Sequence, residues 1–189
     1  MRIEWLLLMA LLSTPALVAR AAEPGDAAQR LLTELRGAPA FEAKTLDGHR
    51  VDLAGLTAHG PLVIDFWATW CKPCVAALPE LDAVHRRYAA RGLSVLGISI
   101  DGPRNFARVR PFVNKLGIRF PVAIDDDGRL AESFQVVAVP TTILIGADRR
   151  IVSVRTGFSD DGFRDLEAYL DGHLGADSAS ARPDTTRKP

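Results

Sequence analysis

The sequence predicts an α/β domain in which a mixed sheet lies between two helical layers and an N-terminal β-hairpin leads. Three observations predict it. Residues 62–68 and 93–100 are nearly continuous apolar runs rich in β-branched residues, as in strands covered on both faces. Each is followed by apolar positions three or four residues apart, so strand and helix alternate and the core strands run parallel. Near the end, the stretches 141–145 and 151–155 flank a turn at 146–150, which makes the closing pair antiparallel.

The elements follow in order. Residues 41–53 carry apolar Phe41, Ala43, Val51 and Leu53 on either side of Leu46-Asp47-Gly48-His49, an Asp-Gly hairpin signal. The run 62–68 is the first sheet strand, and one acid, Asp65, interrupts it. A helix over 71–91 buries the stripe Val75, Leu78, Leu81, Val84 and Tyr88; Pro79 inside should bend it, and Gly92 supplies the cap. After the strand 93–100, a helix over 105–116 turns Phe106, Val109, Val113 and Leu116 inward, and residues 120–124 form another strand. Asp125-Asp126-Asp127-Gly128 reads as a turn, because a calcium loop with its glycine at Gly128 would need Glu where Phe134 stands. A short helix over 129–134, then Val139-Pro140 and the closing strands, lead to a last helix. That helix is marked by Phe163, Leu166, Leu170 and Leu174 and capped by Ser159 or Asp160.

Both ends fall outside this pattern. Arg2 precedes the apolar run 5–12, Ser13-Thr14-Pro15 breaks it, and Ala19-Arg20-Ala21 puts small residues where a signal peptidase reads. A membrane span needs about 20 apolar residues, so residues 1–21 read as a cleaved signal peptide rather than an anchor. An N-terminal linker, 22–38, precedes the domain, 39–174. Residues 175–189 hold no large apolar side chain and read as a disordered tail.

Composition narrows function. A chain of 189 residues, 48% hydrophobic and 24% charged, suits one ordinary domain and excludes collagen, coiled coil and wholesale disorder. Its 23 basic residues match its 23 acidic ones, so no overall excess is available to neutralise phosphates, and nucleic acid is not an expected partner. Two cysteines, Cys71 and Cys74, cannot staple a fold, which must therefore be held by packing.

Those cysteines carry the chemistry. Trp70-Cys71-Lys72-Pro73-Cys74 sits where a buried strand gives way to a helix, and that context marks redox exchange. At a helix N-terminus the Cys71 sulfur meets unpaired backbone N–H groups and the positive end of the dipole, which favour thiolate over thiol. Cys74 falls one turn later with its sulfur nearer the interior, suited to resolving a mixed disulfide. Lys72 and Pro73, between them, have a tuning role at most. A structural bridge over so short a loop would constrain the unfolded chain little. His49, His59, His85 and His173 are scattered without zinc-ligand spacing, so no metal and no cofactor beyond the cysteine pair is implied.

The stretch Asp65-Phe66-Trp67-Ala68-Thr69-Trp70-Cys71-Lys72-Pro73-Cys74, with Pro79 and Val139-Pro140-Thr141 downstream, resembles the thioredoxin superfamily over roughly residues 39–174. The leading hairpin, the signal peptide and the extra strand-helix unit before Val139-Pro140 are similar to secreted TlpA-like thiol-disulfide oxidoreductases, which include reductants of cytochrome c maturation. The resemblance implies a thioredoxin-like three-layer α/β/α sandwich. It also implies a cis peptide bond at Pro140, where the backbone of Val139 can pair with a substrate strand. To Asp65, six residues before Cys71, it gives the task of taking up and returning the resolving cysteine's proton. The residues add that a carboxyl in a doubly covered strand titrates high. Two positions depart from TlpA-like relatives: Asp65, where many have Asn, and Ala77, where many have Glu. Trp67 is expected in the core, and Trp70 as an exposed apolar rim for a partner polypeptide.

The expected protein is exported, periplasmic or otherwise, and exchanges its CxxC dithiol with protein disulfides. It acts as a reductant and is itself re-reduced by an upstream redox partner protein in the membrane. The alternatives are a thiol peroxidase, although peroxiredoxins place Thr where Ala68 stands, and a soft-metal chaperone using the two sulfurs.

Overall fold

A strand whose every residue is apolar or deeply shielded has to lie in the middle of a sheet, and Leu62–Trp67 (β3) does: all six residues are buried. The computed structural model describes residues 37–174; the expected signal peptide, residues 22–36 of the linker and the expected tail lie outside the described residues. The described strands are Glu42–Lys44 (β1), Arg50–Asp52 (β2), β3, Ser94–Ser99 (β4), Val122–Ile124 (β5), Thr141–Ile145 (β6) and Ile151–Thr156 (β7). The described α-helices are Leu53–Leu56 (α1), Lys72–Tyr88 (α2), Phe106–Leu116 (α3), Arg129–Ser133 (α4) and Asp160–His173 (α5). No helix among the described residues is long and apolar enough to cross a membrane.

The main sheet has the order β5-β4-β3-β6-β7. β3 runs parallel to β4 and β4 to β5, whereas β6 is antiparallel to β3 and to β7, so the sheet is mixed as expected. Alternation along β3 sorts its side chains. Val63 and Trp67 pack with Leu78 and Leu81 of α2, Val109 of α3 and Leu170 of α5, and Asp65 projects to this face. Leu62, Ile64 and Phe66 face the opposite layer, where Leu53 of α1, Leu130 of α4 and Phe41 cover them. The three long helices thus share one layer, and short helices with the hairpin make the other.

Several boundaries differ from the expected ones for local reasons. The second hairpin strand ends at Asp52, whose carboxylate accepts from Gly55 N–H at 2.7 Å and starts a short helix at Leu53 that the alternation concealed. The helix expected over 71–91 is α2 followed by a 3-10 turn, Ala89–Arg91, closed by Gly92 at φ 107°; α2 continues through Pro79. β5 starts at Val122 and not at residue 120, because Pro121 has no N–H to give a ladder. Ser159 caps α5, accepting from Gly162 N–H at 3.3 Å.

The hairpin is fastened by backbone bonds to the sheet edge. Leu46 N–H donates to Val122 C=O at 2.7 Å, and Thr45 forms a bridge with Ala123. At the other edge, Gly37 bridges Arg150, and Ala38 N–H donates to Arg149 C=O at 2.8 Å.

Candidate active site

β3 delivers the chain into a tight loop that becomes α2, and the cysteines sit at that junction. Cys71 is the N-cap of α2, in extended conformation, and its Sγ accepts from Cys74 N–H at 3.3 Å. Pro73, at a position where a helical N–H would be unpaired, loses nothing by lacking one. Cys71 and Cys74 form a disulfide with Cα atoms 5.3 Å apart. Cys71 is 6% exposed and Cys74 0%, so of the two sulfurs only that of Cys71 can be approached from outside. An N–H aimed at Sγ stabilises a sulfur anion more than a neutral thiol.

A second segment meets this one across the sheet. The Val139–Pro140 peptide is cis, and Val139 C=O lies 3.6 Å from Cys71 Sγ. Thr141 Oγ1 donates to Ala138 C=O at 2.7 Å, and Gly157 N–H donates to Pro140 C=O at 2.8 Å; these bonds brace the loop from both sides. Trp70, which directly precedes Cys71, is 60% exposed, and Val137, two residues before Val139, is 94% exposed. Lys72 and Pro73 are exposed at the helix start.

Asp65 sits in the central strand and is 1% exposed. Thr142 Oγ1 donates to its Oδ1 at 2.8 Å, while Oδ2 is buried with no partner among the described residues. Burial outweighs that one hydrogen bond and pushes the carboxyl up to about 7. Such a group keeps its proton to far higher pH than an ordinary carboxyl. It shares its sheet face with Cys74.

Three contributors escaped the sequence reading. Asp101, fully buried, accepts from Thr69 N–H at 2.9 Å, Thr69 Oγ1 at 2.6 Å and Ser99 Oγ at 2.9 Å, and so pins the loop that presents Trp70 and Cys71. Its signal was available as an acid directly after an apolar strand. Thr142 had none, since its partner is 77 residues away. Val137 gave only the ambiguous signal of an apolar residue before a proline. Trp67, expected in the core, is fully buried and stacks on Phe112 at 5.9 Å. The described residues gather no group of three or more His, Cys, Asp or Glu that could hold a metal ion.

A model of the AhpC/TSA family matches residues 36–154. The chain belongs to the AhpC/TSA family. Within it, the chain is similar to the thiol-disulfide oxidoreductase ResA of Bacillus thuringiensis (strain Al Hakam), 33% identical over 133 residues that make up 70% of this chain and 74% of that protein. Among solved structures it is similar to a thiol:disulfide interchange protein of the thioredoxin family from Chlorobium tepidum. The identity is 26% and the TM-score 0.63, covering 74% of this chain and 96% of that one. It is also similar to a secreted Mycobacterium tuberculosis disulfide oxidoreductase homologous to DsbE of E. coli, at 25% identity and a TM-score of 0.59, covering 70% of this chain and 95% of that one. This AhpC/TSA chain is a thiol-disulfide oxidoreductase with the thioredoxin-like fold, which agrees with the TlpA-like resemblance of its motif.

Proposed function

We propose that the protein is an exported reductant of protein disulfides, working where cytochrome c maturation or a similar task needs cysteines kept as thiols. The observation that carries the reading is Cys71 Sγ at the N-cap of α2, bonded by Cys74 N–H and facing the Val139 carbonyl beside a cis proline. In the reduced protein the Cys71 thiolate attacks one sulfur of a substrate disulfide, forming a mixed disulfide and releasing the other sulfur as a thiolate that takes a proton from solvent. Cys74 then gives up its proton and attacks Cys71 Sγ; the Cys71–Cys74 bond forms and the second substrate sulfur leaves. Two electrons pass to the substrate, and the oxidised pair is re-reduced by an upstream partner protein in the membrane.

Asp65 accepts the proton that Cys74 gives up, and returns it when the bridge is opened again. A carboxyl at about 7 suits both directions of that transfer. Trp70, Val139 and Pro140 hold the substrate strand, while Lys72 and Pro73 modulate the Cys71 thiolate. Export rests on the signal-peptide pattern of residues 1–21 and on the secreted relative from M. tuberculosis.

The decisive experiment measures insulin disulfide reduction by the mature chain. Cys71→Ser abolishes it, and Cys74→Ser retains attack but accumulates the mixed disulfide. The potential of the pair, read through Trp67 and Trp70 fluorescence in glutathione buffers, falls in the strongly reducing range near about −270 mV. A value near about −120 mV, that of a strong oxidant, reverses the direction. Turnover of hydrogen peroxide faster than of insulin would move the assignment to a thiol peroxidase.

A further inference from the structure

The overall charge balance hides a one-sided segment beside the reactive cysteine. Between residues 104 and 119 stand Arg104, Arg108, Arg110, Lys115 and Arg119, with no Asp or Glu among them. The segment is α3 and its flanks. Arg104, Arg108, Arg110 and Lys115 are exposed, and among the described residues none has a carboxylate within ion-pair distance. Elsewhere the pattern is different: Arg86, Arg87, Arg91, Arg129 and Arg155 are each paired with an acid. α3 also lacks an acid in its first turn, where the helix's own positive end favours one, and Asn105 at its N-cap makes no side-chain capping bond. The surface therefore carries uncompensated positive potential and a free amide.

The same helix walls a groove of about 490 Å³. Its apolar lining includes Trp70, Pro111 and Phe112 and its polar lining Thr69, Asn105, Arg108 and Lys115; no acid lines it, the Asp101 carboxylate that holds Thr69 being fully buried. Trp70 directly precedes Cys71, so a chain lying in the groove brings its own cystine next to that sulfur. A flat aromatic face, a free amide and two unpaired cations fit an extended acidic polypeptide. A lipid headgroup would meet the same charges, but it brings no disulfide to a groove walled by the residue that precedes Cys71.

We propose that this groove docks an acidic stretch of the substrate polypeptide flanking the disulfide that Cys71 exchanges. The assignment rests on the exchange function proposed above and adds the chemistry of the preferred partner. Charges at the rim of such a site act on encounter, so the preference is expressed in the association step and is screened by salt.

The test uses two synthetic peptides with the same cystine loop, one flanked by aspartates and one by lysines, and the neutral hydroxyethyl disulfide. The second-order rate constant of the pre-reduced mature chain is measured with each, at low and high salt. At low salt the wild type reacts about tenfold faster with the acidic peptide, and high salt narrows the gap. The double substitution Arg108→Glu, Lys115→Glu inverts the preference, which a misfolded variant could not do, and Arg108→Gln, Lys115→Gln flattens it. Equal rates with both peptides, alongside reaction with hydroxyethyl disulfide, overturn the docking proposal and leave the exchange function standing. No reaction with hydroxyethyl disulfide overturns both. Sedimentation with phosphatidylglycerol vesicles that depends on Arg108 and Lys115, without discrimination between the peptides, overturns the proposal in favour of a lipid surface.

Discussion

At the Asp65 carboxyl, stability is tied to pH, and the proposed function gives the same group the proton of Cys74. Its pKa lies at about 7 in the folded chain against the ordinary 3.8, because burial disfavours the anion more than the Thr142 hydroxyl favours it. Between those two values the unfolded chain has lost the proton and the folded one keeps it, so stability falls as pH rises from about 4 to about 7. Full ionisation costs about 4 kcal/mol. Asp65→Asn therefore raises the urea midpoint strongly at pH 8 and little at pH 4, while slowing the step in which Cys74 loses its proton. A midpoint difference independent of pH would contradict the assignment. Thr142→Val removes the carboxylate's one donor among the described residues, so the Asp65 titration, followed by carboxyl ¹³C shift, moves further upward. Thr142 also lines a cleft of about 350 Å³ with Phe163 and Tyr169, which gives the carboxyl's only described hydrogen-bond partner contact with open space.

At the scale of elements, β4 fits closely against its neighbours beside the strand that carries the buried acid. Gly97 pairs with Asp65 in register, and a Cβ there would meet the Phe120 ring at 3.0 Å and Trp67 Nε1 at 3.3 Å. Gly97→Ala forces two buried rings to shift and costs about 1–3 kcal/mol, read as a lower urea midpoint with a changed Trp67 fluorescence. The elements themselves were largely legible in the sequence. The apolar runs of β3 and β4, the stripe of α2 and the β6–β7 pair rest on local periodicity, and each appears within a few residues of its expected bounds. What was not legible there was α1, a single turn whose signal is one Asp cap inside an alternating stretch, and the early stop of the α2 helix in a 3-10 turn.

For the whole molecule, the hairpin is the piece whose cooperation with the rest can be measured. Phe41 packs edge-on against Phe134 at 5.8 Å between centroids, and Phe134 meets Phe66 of the central strand at 5.7 Å. The chain of rings ties hairpin, the residue after α4 and β3 into one face of the core. Phe41→Ala is accordingly expected to cost about 3 kcal/mol in a single two-state transition. A separate early transition, or a loss below about 1 kcal/mol, would mean that the hairpin is an appendage.

The amino-acid order alone determined what depends on neighbours within a turn or two: the cysteine spacing at a strand-helix junction, the exposure of Trp70, the burial of Trp67 and the layered alternation of strand and helix. Tertiary structure decided the rest, because the partners are remote in the chain. Thr142 reaches Asp65 and Asp101 reaches Thr69 only after β6 and β4 have closed on β3. The hairpin finds β5, and the unpaired cations of α3 come to lie beside Trp70, by the same closure. Periodicity and capping are short-range signals, whereas hydrogen bonds and charges across a sheet depend on a register that no local stretch specifies.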